Sequence, residues 1–264
     1  MKRFALIGSP IDHSLSPLLH ATIIEQLNID ASYEKIDVSP NQIKNFVMTN
    51  DYDGYNVTIP HKNTILDNLR YLDNNAKDIT AVNCVHNHKG YNTDWIGFSD
   101  TLKKNKIDLK GKSCLIIGSG GAAYAIAFAL IKNKVSSITI ENRNRENKIK
   151  LEDWIAKRLK TITHIEPEVI INCTPLGMGQ YKDKMPSKFK IRSKNIVIDT
   201  IYNPFKTRWL KYSDTKGAIT ISGLDMLISQ AICSLNIWLN EDINSYINFK
   251  TIKTTLEKHL CLQK

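Results

Sequence analysis

SCLIIGSGGAAYAIAFALIKN, residues 113–133, decides how this chain is read. Cys114, Leu115, Ile116 and Ile117 form a continuous apolar run, the pattern of a strand buried on both faces. Three glycines follow within four positions, and then an alanine-rich segment of strong helix formers. GSGGAA (118–123) fits G-x-G-x-x-G/A, with Ala123 in the third slot. Gly118 permits the tight turn between strand and helix. Gly120 lets backbone approach a pyrophosphate, which then rests on the free N–H groups of the helix N-terminus.

The next strand should end on the residue that inspects the adenosine ribose. SSITIENRN (136–144) reads as that strand. By alternation Ile138, Ile140 and Asn142 share one face, and Glu141 points the other way. Asn142 therefore takes the inspecting position, followed by Arg143 and Arg145. A guanidinium pairs with phosphate through parallel hydrogen bonds and stacks on adenine. This favours NADP over NAD. A one-residue change of register would give Glu141 the role of Asn142 and restore NAD.

Outward from this core the alternation continues. LEDWIAKRLK (151–160) reads as a helix, and EVIINCTP (168–175), NIVIDTIYNP (195–204) and GAITISG (217–223) as strands. TITHI (161–165) lies only two residues before EVIIN, too close for a parallel crossover, and its place stays open. Upstream, FALIGSP (4–10), YEKIDVS (33–39) and GYNVTIP (54–60) read as strands and SPLLHATIIEQLN (16–28) as a helix with Pro17 in its first turn. TAVNCVHNHKGYNTD (80–94) reads as two strands joined around Asn87–Gly90. From Leu224 two long helical segments close the chain. Strands separated by helices indicate parallel crossovers in an α/β sheet. The expected organisation is an N-terminal α/β substrate domain, residues 1–96 with 229–264, and a doubly wound nucleotide-binding domain, residues 97–228. The C-terminal helices should pack back on the first domain.

Composition narrows the function. The 264 residues carry 36 Lys and Arg against 26 Asp and Glu, a net charge of +10. The basic residues are spread, with no run of five or six, so nucleic acid is not the expected partner. A positive field suits a small anionic substrate and a phosphorylated cofactor. No apolar run approaches the ~20 residues that cross a bilayer, and the first apolar run is too short for a signal peptide. A cytoplasmic location is expected. The five cysteines form no C-x-x-C pair and read as free thiols. His86 and His88 lack a third ligand at useful spacing, so no metal is expected.

Four short pieces place polar residues where a core would not want them: SLS (14–16), NVTIPHK (56–62), AVNCV (81–85) and NTDWIG (92–97). Each ends a strand or follows one. Their hydroxyls and amides suit a small polyhydroxylated acid, and Lys62 with Asp94 can handle a proton. For Ser14 and Ser16 the rival role is to cap the helix that follows. His13 and His61 flank these pieces without an assigned proton transfer.

In this order the pieces resemble the shikimate dehydrogenase family nearly end to end. S-x-S is followed by N-V-T-x-P-x-K, A-V-N, N-T-D-x-x-G and G-x-G-G-A. N-R, N-x-T, Y-N-P and G-x-D-M-L-x-x-Q-A come after. The resemblance implies a Rossmann-like domain and reversible reduction of 3-dehydroshikimate to shikimate by NADPH, on the way to chorismate. It implies a monomer or homodimer. It casts Lys62 and Asp94 as the catalytic pair and Ser14 and Ser16 as the clamp on the substrate carboxylate. Thr58, Asn83, Tyr202 and Gln230 would be further substrate contacts. Gly118, Ser119, Gly120, Gly121, Ala122, Asn142, Arg143 and Asn144 would hold NADP, with Thr200 and Gly223 near the nicotinamide. The family's adenosine loop often has Thr after Asn-Arg and a second Arg later. This chain has Asn144, Arg145 and Asn147 there. The rival activities are an NAD-dependent quinate/shikimate dehydrogenase and a non-catalytic NADP-binding regulator. Retention of Lys62 and Asp94 speaks against the regulator.

Overall fold

The computed structural model describes residues 1–12, 14–159 and 166–262. Two compact units emerge. One comprises Met1–Gly97 with Ile228–His259, and the other Phe98–Leu227 with the stretch beginning at Leu260. TITHI and His13 lie outside the described residues.

The first unit is built on a six-stranded mixed sheet in the order β2-β1-β3-β5-β6-β4. Strand β1 (Lys2–Gly8) lies parallel to β2 (Ala31–Asp37) and β3 (Gly54–Val57). Helix α1 (Ser16–Leu27) makes the first crossover and α2 (Ile43–Thr49), absent from the sequence reading, the second. After the one-turn α3 (His61–Thr64), β4 (Tyr71–Leu72) and α4 (Asn74–Ile79), a hairpin of β5 (Cys84–His86) and β6 (Lys89–Tyr91) completes the sheet. Its two-residue turn is Asn87–His88, both with positive φ, slightly upstream of the expected centre. Strand β3 stops at Val57 rather than Pro60. The Thr58 carbonyl turns to accept the His61 N–H at 2.9 Å, which opens α3 and delivers Lys62.

The second unit carries a five-stranded, wholly parallel sheet in the order β11-β10-β9-β7-β8. Strand β7 (Ser113–Ile117) is followed by α6 (Gly121–Lys132) and β8 (Ser137–Glu141) on one side. Strands β9 (Val169–Asn172), β10 (Ile196–Asp199) and β11 (Ile219–Ile221) build out on the other. Helix α8 (Arg208–Thr215) links the last two, its Trp209 and Leu210 buried on Leu115, Ile170 and Val197. The direction of growth reverses between β7 and β9. In open α/β sheets that reversal, at the carboxyl ends of the strands, is where ligands bind. This is the Rossmann-like arrangement the glycine turn predicts. Helix α7 (Arg145–Ala156) corrects the sequence reading, which starts a helix at 151. The Asn144 side chain accepts the Asn147 N–H at 2.9 Å, so the polar turn RENKIK is helical because it is capped.

Helix α5 (Asp94–Lys104) and helix α9 (Leu224–Leu239) each begin in one unit and end in the other. The later part of α9 packs on the first sheet, as expected for the C-terminal segments. Trp238 stacks on Phe4 with centroids 4.7 Å apart, and its Nε1 donates to the Val85 carbonyl at 3.0 Å. Helix α10 (Phe249–Leu262) buries Ile252 and Leu256, and the Asn248 N–H just before it bonds Gln26 of α1. Gly54 lies directly beneath Trp238, where a Cβ would overlap the indole ring. The ring is buried, stacked on Phe4 and tied at its edge by the Nε1 bond, so Gly54→Ala should destabilise the first unit by about 1–3 kcal/mol. Urea unfolding checks this, and a midpoint equal to wild type would contradict it.

Candidate active site and nucleotide cradle

Four polar side chains from four parts of the first unit converge. Strand β3 and its exit bring Lys62, the segment before β5 brings Asn83, the first position of α5 brings Asp94, and α9 brings Gln230. Lys62 Nζ lies 2.6 Å from Asp94 Oδ2. The Lys62 side chain is 18% exposed and that of Asp94 7%, so this is a half-shielded pair rather than a surface one. The other carboxylate oxygen of Asp94, Oδ1, accepts from Asn83 Nδ2 at 2.8 Å. Asn83 Nδ2 also approaches Gln230 Oε1 at 3.4 Å. Backbone bonds hold the frame: Val82 N–H donates to the Lys62 carbonyl at 2.8 Å and Val57 N–H to that of Asn83 at 2.9 Å.

Ser14 and Ser16 sit at the start of α1. Their hydroxyls are 3.1 Å apart, and Ser14 Oγ accepts the Ser16 N–H at 3.2 Å. The Ncap residue itself is Leu15, which makes no side-chain bond. Ser14 thus satisfies one orphan donor of the helix, and its hydroxyl is not wholly given over to a ligand. Thr58 is half-buried over the exit of β1, where its methyl sits against Gly8. Two residues near the site have no role assigned in the sequence reading: Thr93, inside the NTDWIG piece, and Ser234, both buried and both hydrogen-bonded to the groups just named. Ser234 could have been found from its spacing, since it follows Gln230 by four residues on one helix face.

Neighbouring histidines are otherwise engaged. His61 Nε2 is 2.5 Å from the Val38 carbonyl and His86 Nδ1 is 2.6 Å from that of Asp53. Among the described residues no group of three His, Cys, Asp or Glu could hold a metal ion.

In the second unit the glycine turn leaves β7 at Gly118, whose φ of +108° only glycine adopts without strain. Its N–H donates to the Glu141 carbonyl at 2.8 Å, and a Cβ would stand 3.1 Å from the Cys173 backbone. Gly118 is therefore required by the fold. Gly120 is different: it is the Ncap of α6, and a Cβ there would meet nothing within 4 Å. Ser119, Gly120, Gly121 and Ala122 are exposed or half-buried, whereas Ala123 is buried against the sheet. Open space above a helix N-terminus, floored by backbone N–H groups, fits a pyrophosphate.

At the end of β8 the Asn142 amide donates to the Asn144 carbonyl at 2.8 Å, and Arg143 is exposed. Asn144 spends its side-chain oxygen on capping α7. Glu141, exposed at the strand end, accepts from the Ser187 hydroxyl at 2.7 Å. Thr200 and Tyr202 follow β10 in this same unit. Gly223 N–H donates to the Ile201 carbonyl, and a Cβ on Gly223 would strike the Thr200 carbonyl. Its glycine is demanded by backbone contact alone.

Comparison with known proteins places this geometry in context. Residues 6–85 match the family profile described as shikimate dehydrogenase substrate binding domain, and residues 100–175 that of shikimate / quinate 5-dehydrogenase. The chain is 37% identical over 270 residues to a shikimate dehydrogenase (NADP(+)) of Caldanaerobacter subterraneus subsp. tengcongensis, covering 96% of each. A crystal structure of a shikimate dehydrogenase in complex with NADP+ superposes with a TM-score of 0.90 at 33% identity, covering 98% of this chain and 96% of that one. The shikimate 5-dehydrogenase of Listeria monocytogenes, solved with shikimate and NAD, superposes at 0.85 with 29% identity, covering 97% and 96%.

Proposed function

We propose, since this chain belongs to the shikimate dehydrogenase family, that it interconverts 3-dehydroshikimate and shikimate using NADPH and NADP+, in the route to chorismate. The observation that carries the chemistry is the Lys62–Asp94 contact at 2.6 Å, with Asn83 on the second carboxylate oxygen. Bound NADPH supplies the hydride. Lys62 holds the proton that the carbonyl oxygen of 3-dehydroshikimate must receive, and takes it back from the hydroxyl in the reverse direction. Asp94 holds the lysine nitrogen at one fixed point and can accept a hydrogen bond from the same hydroxyl. Positioning of this kind, rather than a new charge, is what a half-shielded ion pair contributes.

Ser14 and Ser16 bind the substrate carboxylate, and Thr58, Asn83, Tyr202 and Gln230 its hydroxyls. Residues 1–96 together with 229–264 act as the substrate-binding and catalytic domain. Residues 97–228 act as the NADP-binding domain. Gly118 to Ala122 receive the pyrophosphate, Asn142 to Asn144 the adenosine end, and Thr200 and Gly223 border the nicotinamide. None of the described helices is long and apolar enough to cross a membrane. The enzyme works in the cytoplasm as a monomer or homodimer, without nucleic acid.

Shikimate-dependent reduction of NADP+, followed by the near-ultraviolet absorbance of the reduced nicotinamide, tests the activity. Quinate and NAD+ run in parallel test the rival pairing. Turnover with shikimate and NADP+ should lead, and its absence with pure folded protein would overturn the reading. Arg143 should read the 2′-phosphate, because an exposed guanidinium suits a dianion. Arg143→Ala should raise KM for NADP+ about 10–100-fold, the loss of one charge-assisted contact. KM for NAD+ should move much less, and equal rises for both would remove Arg143 from that role.

A further inference from the structure

Behind the Lys62–Asp94 pair lies a set of buried polar groups, and the sense of its amides can be worked out from chemistry alone. A backbone N–H can only donate, so the Thr93 N–H at 2.6 Å identifies the facing atom of Asn83 as its oxygen. The Asn83 amide nitrogen must then face the other way, toward Asp94 Oδ1 at 2.8 Å and Thr93 Oγ1 at 2.9 Å. Thr93 Oγ1 accepts from Asn83, and its own proton has three acceptors in reach: Ser234 Oγ at 3.3 Å, Asn83 Oδ1 at 3.3 Å and Gln230 Oε1 at 3.4 Å. Ser234 gives its proton to the Gln230 carbonyl one turn back at 3.0 Å and accepts from Asn56 Nδ2 at 2.9 Å. Asn56 is fixed in turn, donating to the Asn83 carbonyl at 3.1 Å and accepting from the Tyr33 hydroxyl at 2.9 Å. Thr93 and Ser234 are 0% and Asn56 5% exposed.

We infer that Thr93, supported by Ser234 and Asn56, is a positioning residue for proton transfer. Its main-chain N–H sets which way the Asn83 amide is turned, and its hydroxyl, accepting one amide N–H at 2.9 Å, holds the amide plane that aims the other at Asp94 Oδ1. This deepens the Lys62–Asp94 reading and rests on it. Without the hydroxyl the amide keeps its sense but loses the contact that fixes its plane, and the Asn83 bond that holds Asp94 on the lysine can swing out of line. Two observations oppose a purely structural role. Both N–H bonds of Asn83 are directed by Thr93 or to Asp94, not into the core. And α9 reaches the network through Ser234 and Gln230, so a helix far along the chain bears on the orientation of the catalytic carboxylate.

The test pairs Thr93→Val, which keeps the shape and removes the hydroxyl, with Thr93→Ser, which keeps the hydroxyl. Thr93→Val should lower kcat about 10–30-fold, the scale expected of misplaced catalytic groups. KM for shikimate should stay within about threefold, and a limb of the kcat–pH profile should move by about half a unit or more. Thr93→Ser should recover kcat and the profile to near wild type. If Thr93→Val does not fold, Ser234→Ala decides in its place, with kcat about 3–10-fold down and the same displaced limb. Wild-type kcat and pH profile in the folded hydroxyl-deletion variant would overturn the inference. So would a serine variant as impaired as the valine one. Lys62→Ala assayed alongside separates the two failures. If it collapses turnover while Thr93→Val does not, the positioning role alone is lost. If it does not, the catalytic reading goes too.

Discussion

Replacing Lys62 by alanine should lower kcat by about 10²–10⁴-fold, the usual contribution of a positioned general acid–base, while KM for shikimate changes several-fold at most. The lysine nitrogen is held by Asp94 at 2.6 Å and its backbone by Val82, so its position owes nothing to a substrate. Loss of a group needed mainly in the transition state lowers kcat and kcat/KM together. The side chain is only 18% exposed, so truncation also leaves Asp94 partly shielded without its cation. Destabilisation from that source would appear in thermal unfolding, not in the split between kcat and KM. The measurement is steady-state kinetics in both directions on protein shown to be folded. A kcat within about threefold of wild type would remove Lys62 from proton transfer. Arginine at this position should not rescue, because its guanidinium cannot give up a proton near neutral pH.

How much of this was legible in the sequence differs by residue, for physical reasons. The Gly118 turn is legible because apolar strand, glycines and alanine-rich helix are contiguous, and each constrains backbone. Lys62 and Asp94 are legible as oddities, polar residues ending strand-like runs, yet their contact joins segments 32 residues apart. Thr93 stands inside the NTDWIG piece, but nothing there gives it a role of its own. A buried threonine hydroxyl carries no periodicity or charge, and its partners arrive from the segment before β5 and from α9. Asn144 shows the opposite limit. Sequence reads it as part of a nucleotide loop, while the structure also uses it to cap α7, a helix whose first turn is too polar to show an apolar stripe. The return of α9 onto the first sheet is legible only in outline. Its anchor, Trp238 between Phe4 and the Val85 carbonyl, depends on Gly54 having no side chain.

The stability of the first unit should fall on acidification through His20. This imidazole is wholly buried in α1, stacked on Tyr33 with centroids 3.9 Å apart and tilted against Trp238 at 5.6 Å. Neither ring nitrogen has a protein hydrogen-bond partner. Burial pushes its pKa down from 6.5 to about 3, and the nearby Asn56 side chain offsets only part of that. Above pH ~6.5 the ring is neutral in folded and unfolded chains alike and the full stability is present. Between ~6.5 and ~3 the unfolded chain holds a proton that the folded one refuses, so stability is lost as pH falls. Going from pH ~7 to ~4.5 should remove about 2–3 kcal/mol. Asp199 in the second unit works the other way. Burial raises its carboxyl from 3.8 to about 6, against the bonds from Thr207, Ile201 and Asn172, so its contribution is full at low pH and lost as pH rises through about 6. The opposed slopes can leave whole-chain unfolding nearly flat with pH, so the comparison has to be between variants. His20→Phe keeps an aromatic ring on Tyr33 and cannot titrate. Its stability relative to wild type should rise by about 2–3 kcal/mol between pH ~7 and ~4.5, while Asp199→Asn relative to wild type should fall over the same range. Urea unfolding at a series of pH values measures both differences. A His20→Phe difference that does not change with pH would mean that His20 takes up its proton as readily in the folded chain as in the unfolded one.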